Sequence, residues 1–149
     1  MNQPPRLEPP IEEALQQFRD EYRRPTLPDW ERGALLALFS ENPPRRAAKT
    51  WADPWPFGDR TGVYFVFNRD MKLLYIGKAS MYSCMGARLS SWFYGPSSGT
   101  CSVQGKWSDE PFFVQTLAMP PGMAFEAPAL EEFLISRLSP PDNTAGRKG

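Results

Sequence analysis

The spacing of hydrophobic residues predicts helices in the first third of the chain. Over residues 10–24 the apolar side chains recur every three or four positions, as on one face of an amphipathic helix, and Pro10 suits its first turn. A second helix is predicted over residues 29–40, because Asp29 is a favoured N-cap residue and Pro43-Pro44 prevents continuation. Four apolar side chains of this segment either cap a sheet or form a dimer contact: Leu35, Leu36, Leu38 and Phe39.

After residue 60 the pattern changes to the alternation that is typical of strands. Residues 63–67 and 72–76 predict two strands joined by a turn at Asn68-Arg69-Asp70. With a four-residue loop, Tyr64 would lie directly opposite Tyr75, and both hydroxyls would emerge on one face of the sheet. Three further elements are predicted: a helix over 86–93, a strand over 112–118 and a helix over 128–138. This order of elements predicts the α+β fold class.

Composition restricts the chemistry that is available. The 149 residues contain no histidine, which excludes Ser-His-Asp and Cys-His catalysis and leaves Tyr, Lys, Asp and Glu for acid–base chemistry. Seventeen basic and seventeen acidic residues give no net charge, so any DNA contact must come from a local patch. Cys84 and Cys101 lack zinc-site spacing, and we expect cytosolic free thiols rather than a disulfide. Without an apolar leader or a spanning run, the expected location is cytoplasmic.

Two glycine–tyrosine segments on the predicted hairpin are the most informative motifs. Gly62-Val63-Tyr64 lies on the first strand and Tyr75-Ile76-Gly77 on the second. They are followed, in order, by Arg88 in a predicted helix, Glu131 in the last helix and Asn143 near the end of the chain. Together these motifs resemble the GIY-YIG nuclease family, with valine in place of the usual isoleucine. They are especially similar to the N-terminal nuclease domain of the bacterial nucleotide-excision-repair incision subunit.

The resemblance implies metal-dependent hydrolysis of a DNA phosphodiester. In that family the glutamate matching Glu131 holds one divalent cation, here expected to be Mg²⁺ or Mn²⁺. The tyrosine matching Tyr64 is the favoured activator of the attacking water. The residues matching Tyr75 and Arg88 orient and stabilise the scissile phosphate. Asn143 would be a supporting polar residue on the substrate side.

Several of these roles have an alternative. Lys78, directly after the second motif, is an alternative base or a phosphate ligand, because a phenol with a pKa of about 10 is a poor base unless cations lower it. Glu132 is the alternative to Glu131, although consecutive helical residues point about 100° apart and only one of them can face the tyrosines. Asn143 serves equally well as a residue that ends the helix. Compared with the excision-repair relatives, the loop at 80–86 is expected to be longer, which makes a substrate contact there less expected.

The implied fold is a small three-stranded antiparallel sheet flanked by helices, over residues 61–145. Residues 1–60 would form a proline-rich arm and a two-helix extension, and residues 146–149 a tail. Because the extension has balanced charge, we expect a structure-selective DNA repair nuclease, or one that a partner protein directs to DNA. No membrane partner is expected, and the chain would be a monomer or a homodimer. The alternative is a catalytically silent module of the same fold that binds nucleic acid or protein.

Overall fold

The computed structural model of the chain describes residues 5–39, 55–94 and 102–143. Within these ranges the helices are α1 (Pro9–Tyr22), α2 (Met85–Trp92) and α3 (Glu126–Leu138). The strands are β1 (Glu31–Arg32), β2 (Leu36–Ala37), β3 (Gly62–Phe67), β4 (Leu73–Ala79), β5 (Phe93–Tyr94), β6 (Ser102–Val103) and β7 (Phe113–Ala118). The three helices and the strands β3, β4 and β7 therefore confirm six of the seven predicted elements to within a few residues.

The main sheet is antiparallel, and its strands follow the order β1–β7–β3–β4. β1 and β2 pair with opposite ends of β7, so the sheet has five strands rather than the three expected. β5 and β6 form a separate two-stranded sheet. The α+β class is confirmed, and β4 is an edge strand of the main sheet.

The helix predicted over residues 29–40 is wrong, because this segment forms β1 and β2. The Gly33 N–H donates to the Thr116 carbonyl oxygen at 2.8 Å, which joins the segment to β7. A Cβ at Gly33 would collide with the Thr116 hydroxyl, so the close approach of this segment to β7 depends on glycine. The apolar residues also serve different cores, since Trp30 is buried on one face of the sheet and Leu38 on the other. Tertiary pairing thus overrides the local helical pattern.

Both faces of β3 are buried, each under a different set of helices. The α1 and α3 side covers Val63, Phe65 and Phe67, and the α2 side covers Tyr64 and Val66. Residues of the N-terminal segment contribute to the first of these cores: Leu7, Ile11, Ala14, Leu15, Phe18 and Trp30. The N-terminal segment therefore shares its core with the sheet.

The apolar residues after β1 pack inside the chain. Leu38 is fully buried and Phe39 is nearly so, both in the core on the α2 side of the sheet. Leu35 is 44% exposed. This arrangement favours the interpretation that the segment caps the sheet over the interpretation that it forms a dimer contact.

A buried ion pair joins α1 to α3. The Arg23 guanidinium donates to both carboxylate oxygens of Glu126, at 2.7 and 3.3 Å, and the Trp30 indole N–H donates to the same carboxylate at 2.8 Å. The charged side chains are only 5% and 8% exposed, so the attraction between the two ions must offset their loss of hydration. Near the other end of α1, Arg32 pairs with Glu12 through two hydrogen bonds of 2.8 Å.

We expect Arg23→Ala to lower the free energy of unfolding by about 3–5 kcal/mol, because it leaves the Glu126 carboxylate buried without its cation. Urea denaturation followed by tryptophan fluorescence measures the loss. Arg19→Ala is the matched control, since Arg19 and Arg23 stack on Trp30 at 4.7 and 4.6 Å. The Arg19 partner, Asp29, has a side chain that is 59% exposed, so the expected loss there is about 1 kcal/mol or less. Equal losses for Arg23→Ala and Arg19→Ala would show that burial of the Arg23–Glu126 pair adds nothing to the cost of removing its arginine.

Candidate active site at the edge of strand β4

The two motif tyrosines share one face of the β3–β4 hairpin, but the predicted direct pairing between them is wrong. Tyr64 lies opposite Gly77, and Tyr75 lies opposite Val66. Two irregularities each shift the pairing by one residue: the loop has five residues rather than four, and a β-bulge interrupts the ladder between Val66 and Phe67. One shift alone would turn Tyr75 to the other face of the sheet, whereas two shifts restore its orientation.

Asn68 organises the longer loop. Its side-chain oxygen accepts hydrogen bonds from the backbone N–H groups of Asp70 and Lys72, at 2.9 and 2.8 Å. Its own backbone N–H donates to the Lys72 carbonyl oxygen at 2.9 Å. The turn chemistry predicted for this segment is therefore present, with one more residue enclosed than expected.

The glycine of the second motif makes room for the tyrosine of the first. The Tyr64 ring lies across Gly77, and a Cβ at this position would collide with the ring and the hydroxyl. The first-motif glycine, Gly62, is equally constrained, because a Cβ there would collide with the Leu117 carbonyl of β7. Tyr64 itself is fully buried. Both motif glycines thus have a packing reason for their identity.

We expect Gly77→Ala to destabilise the fold by about 1–3 kcal/mol through overpacking against the Tyr64 ring. Without that collision, alanine in a strand would be slightly stabilising relative to glycine. The test is a double-mutant cycle of urea denaturation in which Tyr64→Ala removes the ring. In that background Gly77→Ala should cost nothing. The same cost in both backgrounds would contradict the contact.

The Tyr64 hydroxyl accepts one hydrogen bond, from the Trp92 Nε1–H at 3.1 Å, and the Arg88 guanidinium lies close enough to act on its charge. Burial and the neighbouring Tyr75 raise the pKa of Tyr64 to about 12, and Arg88 and Trp92 offset only part of this effect. The condition under which Tyr64 would be a good base, a pKa lowered by neighbouring cations, is therefore not met.

Tyr75 is the more accessible of the two tyrosines. Its side chain is half-buried, and its ring centroid lies 6.3 Å from that of Tyr64. Burial and the charge of Glu131 raise the pKa of Tyr75, while Arg88 and the Tyr64 hydroxyl act in the opposite direction. Tyr75 thus remains a neutral hydrogen-bond donor at physiological pH.

Two tryptophans beside Tyr75 were missed by the sequence analysis. The rings of Trp92 and Trp107 meet the Tyr75 ring edge-on, with centroid distances of 5.5 and 5.7 Å. Trp92 follows Arg88 by four residues on α2, and this spacing could have indicated that both face the same region. Trp107 lies in a loop, so no helical or strand periodicity could have indicated its position beside Tyr75.

The candidate site extends across the edge of β4 from both faces of the sheet. Tyr75 projects towards the α2 side, whereas Ile76 and, by alternation, Lys78 project towards the α3 side. Glu131 reaches this edge from α3, within electrostatic range of Lys78, Arg88 and Tyr75. The structure therefore brings together five of the six residues that the sequence singled out, with Tyr64 as the buried member.

The Glu131 carboxylate is half-buried and has no hydrogen bond or ion pair with any residue that the structure describes. Burial raises the pKa of this carboxyl, against the opposing effects of Lys78 and Arg88. The part-buried carboxylates of Glu12 and Glu126, by contrast, are each bound by an arginine. Glu131 is therefore a carboxylate whose oxygens accept no hydrogen bond from the described residues.

Glu132 faces a different part of the molecule. It is exposed and lines a groove of about 840 Å³ between α1 and α3, together with Tyr22, Phe125 and Phe133. None of the residues that line this groove belongs to the motif set. The geometry therefore favours Glu131 over Glu132 as the residue beside the tyrosines.

Asn143 has a structural position. It is 5% exposed, its amide nitrogen donates to the Ile76 carbonyl oxygen at 2.8 Å, and its amide oxygen accepts from the Ile76 N–H at 2.8 Å. The Asp142 N–H donates to the Leu74 carbonyl oxygen at 2.9 Å, so the turn after α3 covers the outer edge of β4. The amide thus binds backbone, and the substrate contact predicted for Asn143 is not supported by its orientation.

The sequence around the site is locally basic although the chain is neutral. Residues 71–108 contain four basic residues and no acidic one. Two of the four, Lys78 and Arg88, belong to the candidate site. In the sequence, these two cations therefore lie within a stretch of net positive charge.

No family model, curated protein or solved structure matches this chain. None of the described helices is long and apolar enough to cross a membrane. Over residues 5–39, 55–94 and 102–143, no three His, Cys, Asp or Glu side chains cluster as ligands for a metal ion. Cys84 is a free thiol. The predictions made for Pro43-Pro44, Cys101 and the 146–149 tail lie outside the described residues.

We expect Glu131→Gln to raise the melting temperature at pH 7. A carboxyl with a raised pKa binds its proton more tightly in the folded protein, so its contribution to stability falls as pH rises from about 4.5 through the raised value. Glutamine removes this loss, and the gain should vanish at pH values well below 4.5. Thermal unfolding across this pH range tests it, with Glu132→Gln as the matched control. A stability loss at pH 7 would contradict the absence of a partner for Glu131.

Proposed function

We propose that this protein is a divalent-metal-dependent DNA endonuclease of the GIY-YIG type. The observation that carries the proposal is the Glu131 carboxylate, which is half-buried, lacks an ion-pair partner among the described residues, and faces Lys78, Arg88 and Tyr75. Buried carboxylates are costly unless they are paired or bind a cation. An unused carboxylate beside two cations and a phenol is typical of a site that binds a metal ion and a phosphate together.

Glu131 fits a hard divalent cation such as Mg²⁺ or Mn²⁺. A carboxylate oxygen is a preferred ligand of Mg²⁺, which commonly takes one or two carboxylates and fills its remaining positions with water and substrate phosphate. When bound, such a cation supplies Lewis-acid stabilisation of the phosphate charge and lowers the pKa of the water that it holds. Lys78 and Arg88 nearby would then bind the same phosphate rather than compete for the carboxylate.

The chain's own residues have distinct tasks in this proposal. The exposed Arg88 guanidinium binds the scissile phosphate, because its planar fork matches two phosphate oxygens. Tyr75 donates its hydroxyl hydrogen to the phosphate as negative charge develops. Lys78 binds a neighbouring phosphate oxygen through its ammonium group.

Tyr64 is proposed as a positioning residue instead of the base. With a pKa of about 12, only about one molecule in 10⁵ carries the phenolate at pH 7. Its hydroxyl accepts a hydrogen bond from Trp92 and lies beside the Arg88 guanidinium and the Tyr75 phenol, so it would position these two groups relative to each other. This arrangement preorganises the two groups that would contact phosphate.

The chain's charge supports selectivity for DNA structure, or targeting by a partner protein, over tight binding of any duplex. A neutral protein with a small basic patch binds bare duplex weakly and loses that binding as salt rises. Either distorted DNA or a partner protein must therefore supply the remaining affinity. A role in DNA repair is consistent with this requirement.

We expect the wild-type protein to nick branched or damaged DNA with Mg²⁺ or Mn²⁺, and Glu131→Gln to slow cleavage at least about a hundredfold. Arg88→Lys should retain charge yet stay at least about tenfold slower, because lysine cannot bind phosphate with two parallel hydrogen bonds. A nicking assay on labelled branched DNA measures both. Glu132→Gln and Arg137→Lys on the same helix as Glu131 are the matched controls and should cleave normally.

Two outcomes of this assay would contradict the proposal. If Glu131→Gln and Glu132→Gln cleave as fast as the wild type, the nuclease activity does not come from this site. If the wild type binds DNA saturably but never cleaves it under varied metals, the protein is a catalytically silent module of the same fold.

A further inference from the structure

The loop between β4 and α2 exposes two large apolar side chains. Met81 is 61% exposed and Tyr82 is 105% exposed, so both side chains lie largely in solvent instead of packing against the protein. Among the described residues, the other strongly exposed aromatic side chains are Tyr22 and Phe125, and both line the groove between α1 and α3. The Met81–Tyr82 tip is therefore a separate surface that no core accounts for.

The backbone at this tip is held in an unfavourable conformation. Tyr82 has a φ of 68°, in the left-handed region that non-glycine residues rarely adopt. The Ser83 N–H donates to the Ser80 carbonyl oxygen at 3.0 Å and closes the turn. Holding a bulky residue in this region costs about 1 kcal/mol or more, and a fully exposed ring gains no packing that offsets the cost. Tyr82 is therefore held in this conformation while its ring stays in solvent.

Both ends of the loop lead directly into the candidate site. Lys78 precedes Tyr82 by four residues, and Arg88 lies on the first turns of the helix that follows, its N–H bonded to the Cys84 carbonyl. Four residues of extended chain span at most about 14 Å. One strand of duplex rises about 3.4 Å per nucleotide, so the tip reaches about four nucleotides at most from a phosphate held by Lys78.

We propose that Met81 and Tyr82 form a wedge that stacks on unpaired or partly unstacked DNA bases near the phosphate bound by the candidate site. The inference rests on the proposed function and specifies its substrate class. The occupant is nucleic acid because the tip lies in the sequence between the cations Lys78 and Arg88, in a stretch of 38 residues that has no acidic residue. Apolar side chains inserted between base steps and aromatic rings stacked on exposed bases are common modes of DNA recognition. The loop at 80–86, where the sequence made a substrate contact less expected, is thus proposed as the element that selects the DNA structure.

The test measures binding alone, so it does not depend on cleavage. Fluorescence anisotropy in EDTA at low ionic strength gives Kd for a fully paired duplex and for the same duplex with a short unpaired gap. The variants are the double substitution Met81→Ala with Tyr82→Ala, the single Tyr82→Phe, and Phe125→Ala as an exposed aromatic control away from the site. Circular dichroism melts verify that each variant is folded.

Wild type should bind the gapped DNA more tightly than the paired duplex. The double variant should lose at least about fivefold in affinity for the gapped DNA and little for the duplex, because stacking of a base on an aromatic ring is worth this much or more. Tyr82→Phe keeps the ring and should bind like wild type, as should Phe125→Ala. 2-Aminopurine placed at the gap should show quenching with wild type and recovery with the double variant.

Unchanged affinity of the double variant for gapped DNA would overturn the wedge while leaving the proposed nuclease intact. An equal loss on gapped and paired DNA would do the same, since it would show a general contact rather than base stacking. If wild type binds neither DNA at any concentration tested, the wedge and the proposed function both fail. A protein partner for the tip would give the first of these results.

Discussion

The contact between the Tyr64 ring and Gly77 is the constraint on which the site depends. It holds when the β3–β4 register places these two residues opposite each other, and that register needs both the five-residue Asn68 loop and the bulge after Val66. With either irregularity missing, Tyr75 would turn to the opposite face. The buried Tyr64 hydroxyl then accepts a hydrogen bond from Trp92, which joins α2 to the hairpin.

Two carboxylates on α3, those of Glu126 and Glu131, are removed from solvent in different environments. Glu126 is neutralised by Arg23 and an indole N–H, and this joins the N-terminal helix to the last helix. Glu131, one and a half turns later on the same helix, keeps its charge half-buried without such a partner among the described residues. The first arrangement stabilises the fold. The second lowers stability at neutral pH and is understandable if the carboxylate binds a cation during function.

Elements whose signals are local could be predicted from the sequence, whereas those that depend on distant partners could not. The helices α1, α2 and α3 and the strands β3, β4 and β7 follow from periodicity over a few residues. The strands β1 and β2 were mistaken for a helix because their pairing depends on the fit of Gly33 against Thr116, more than eighty residues away. Likewise, motif order indicated Tyr64, Tyr75, Arg88 and Glu131, but not that burial would raise the Tyr64 pKa to about 12. Nor could it show that Asn143 would bind the Ile76 backbone.

Anomalous diffraction from crystals grown with Mn²⁺ and a short DNA strand tests most directly whether Glu131 and Arg88 belong to one catalytic site. We predict one manganese ion bonded to the Glu131 carboxylate, with a DNA phosphate between the ion and the Arg88 guanidinium. Manganese bound at Glu132 or in the groove between α1 and α3, with none at Glu131, would contradict the metal-dependent nuclease assignment.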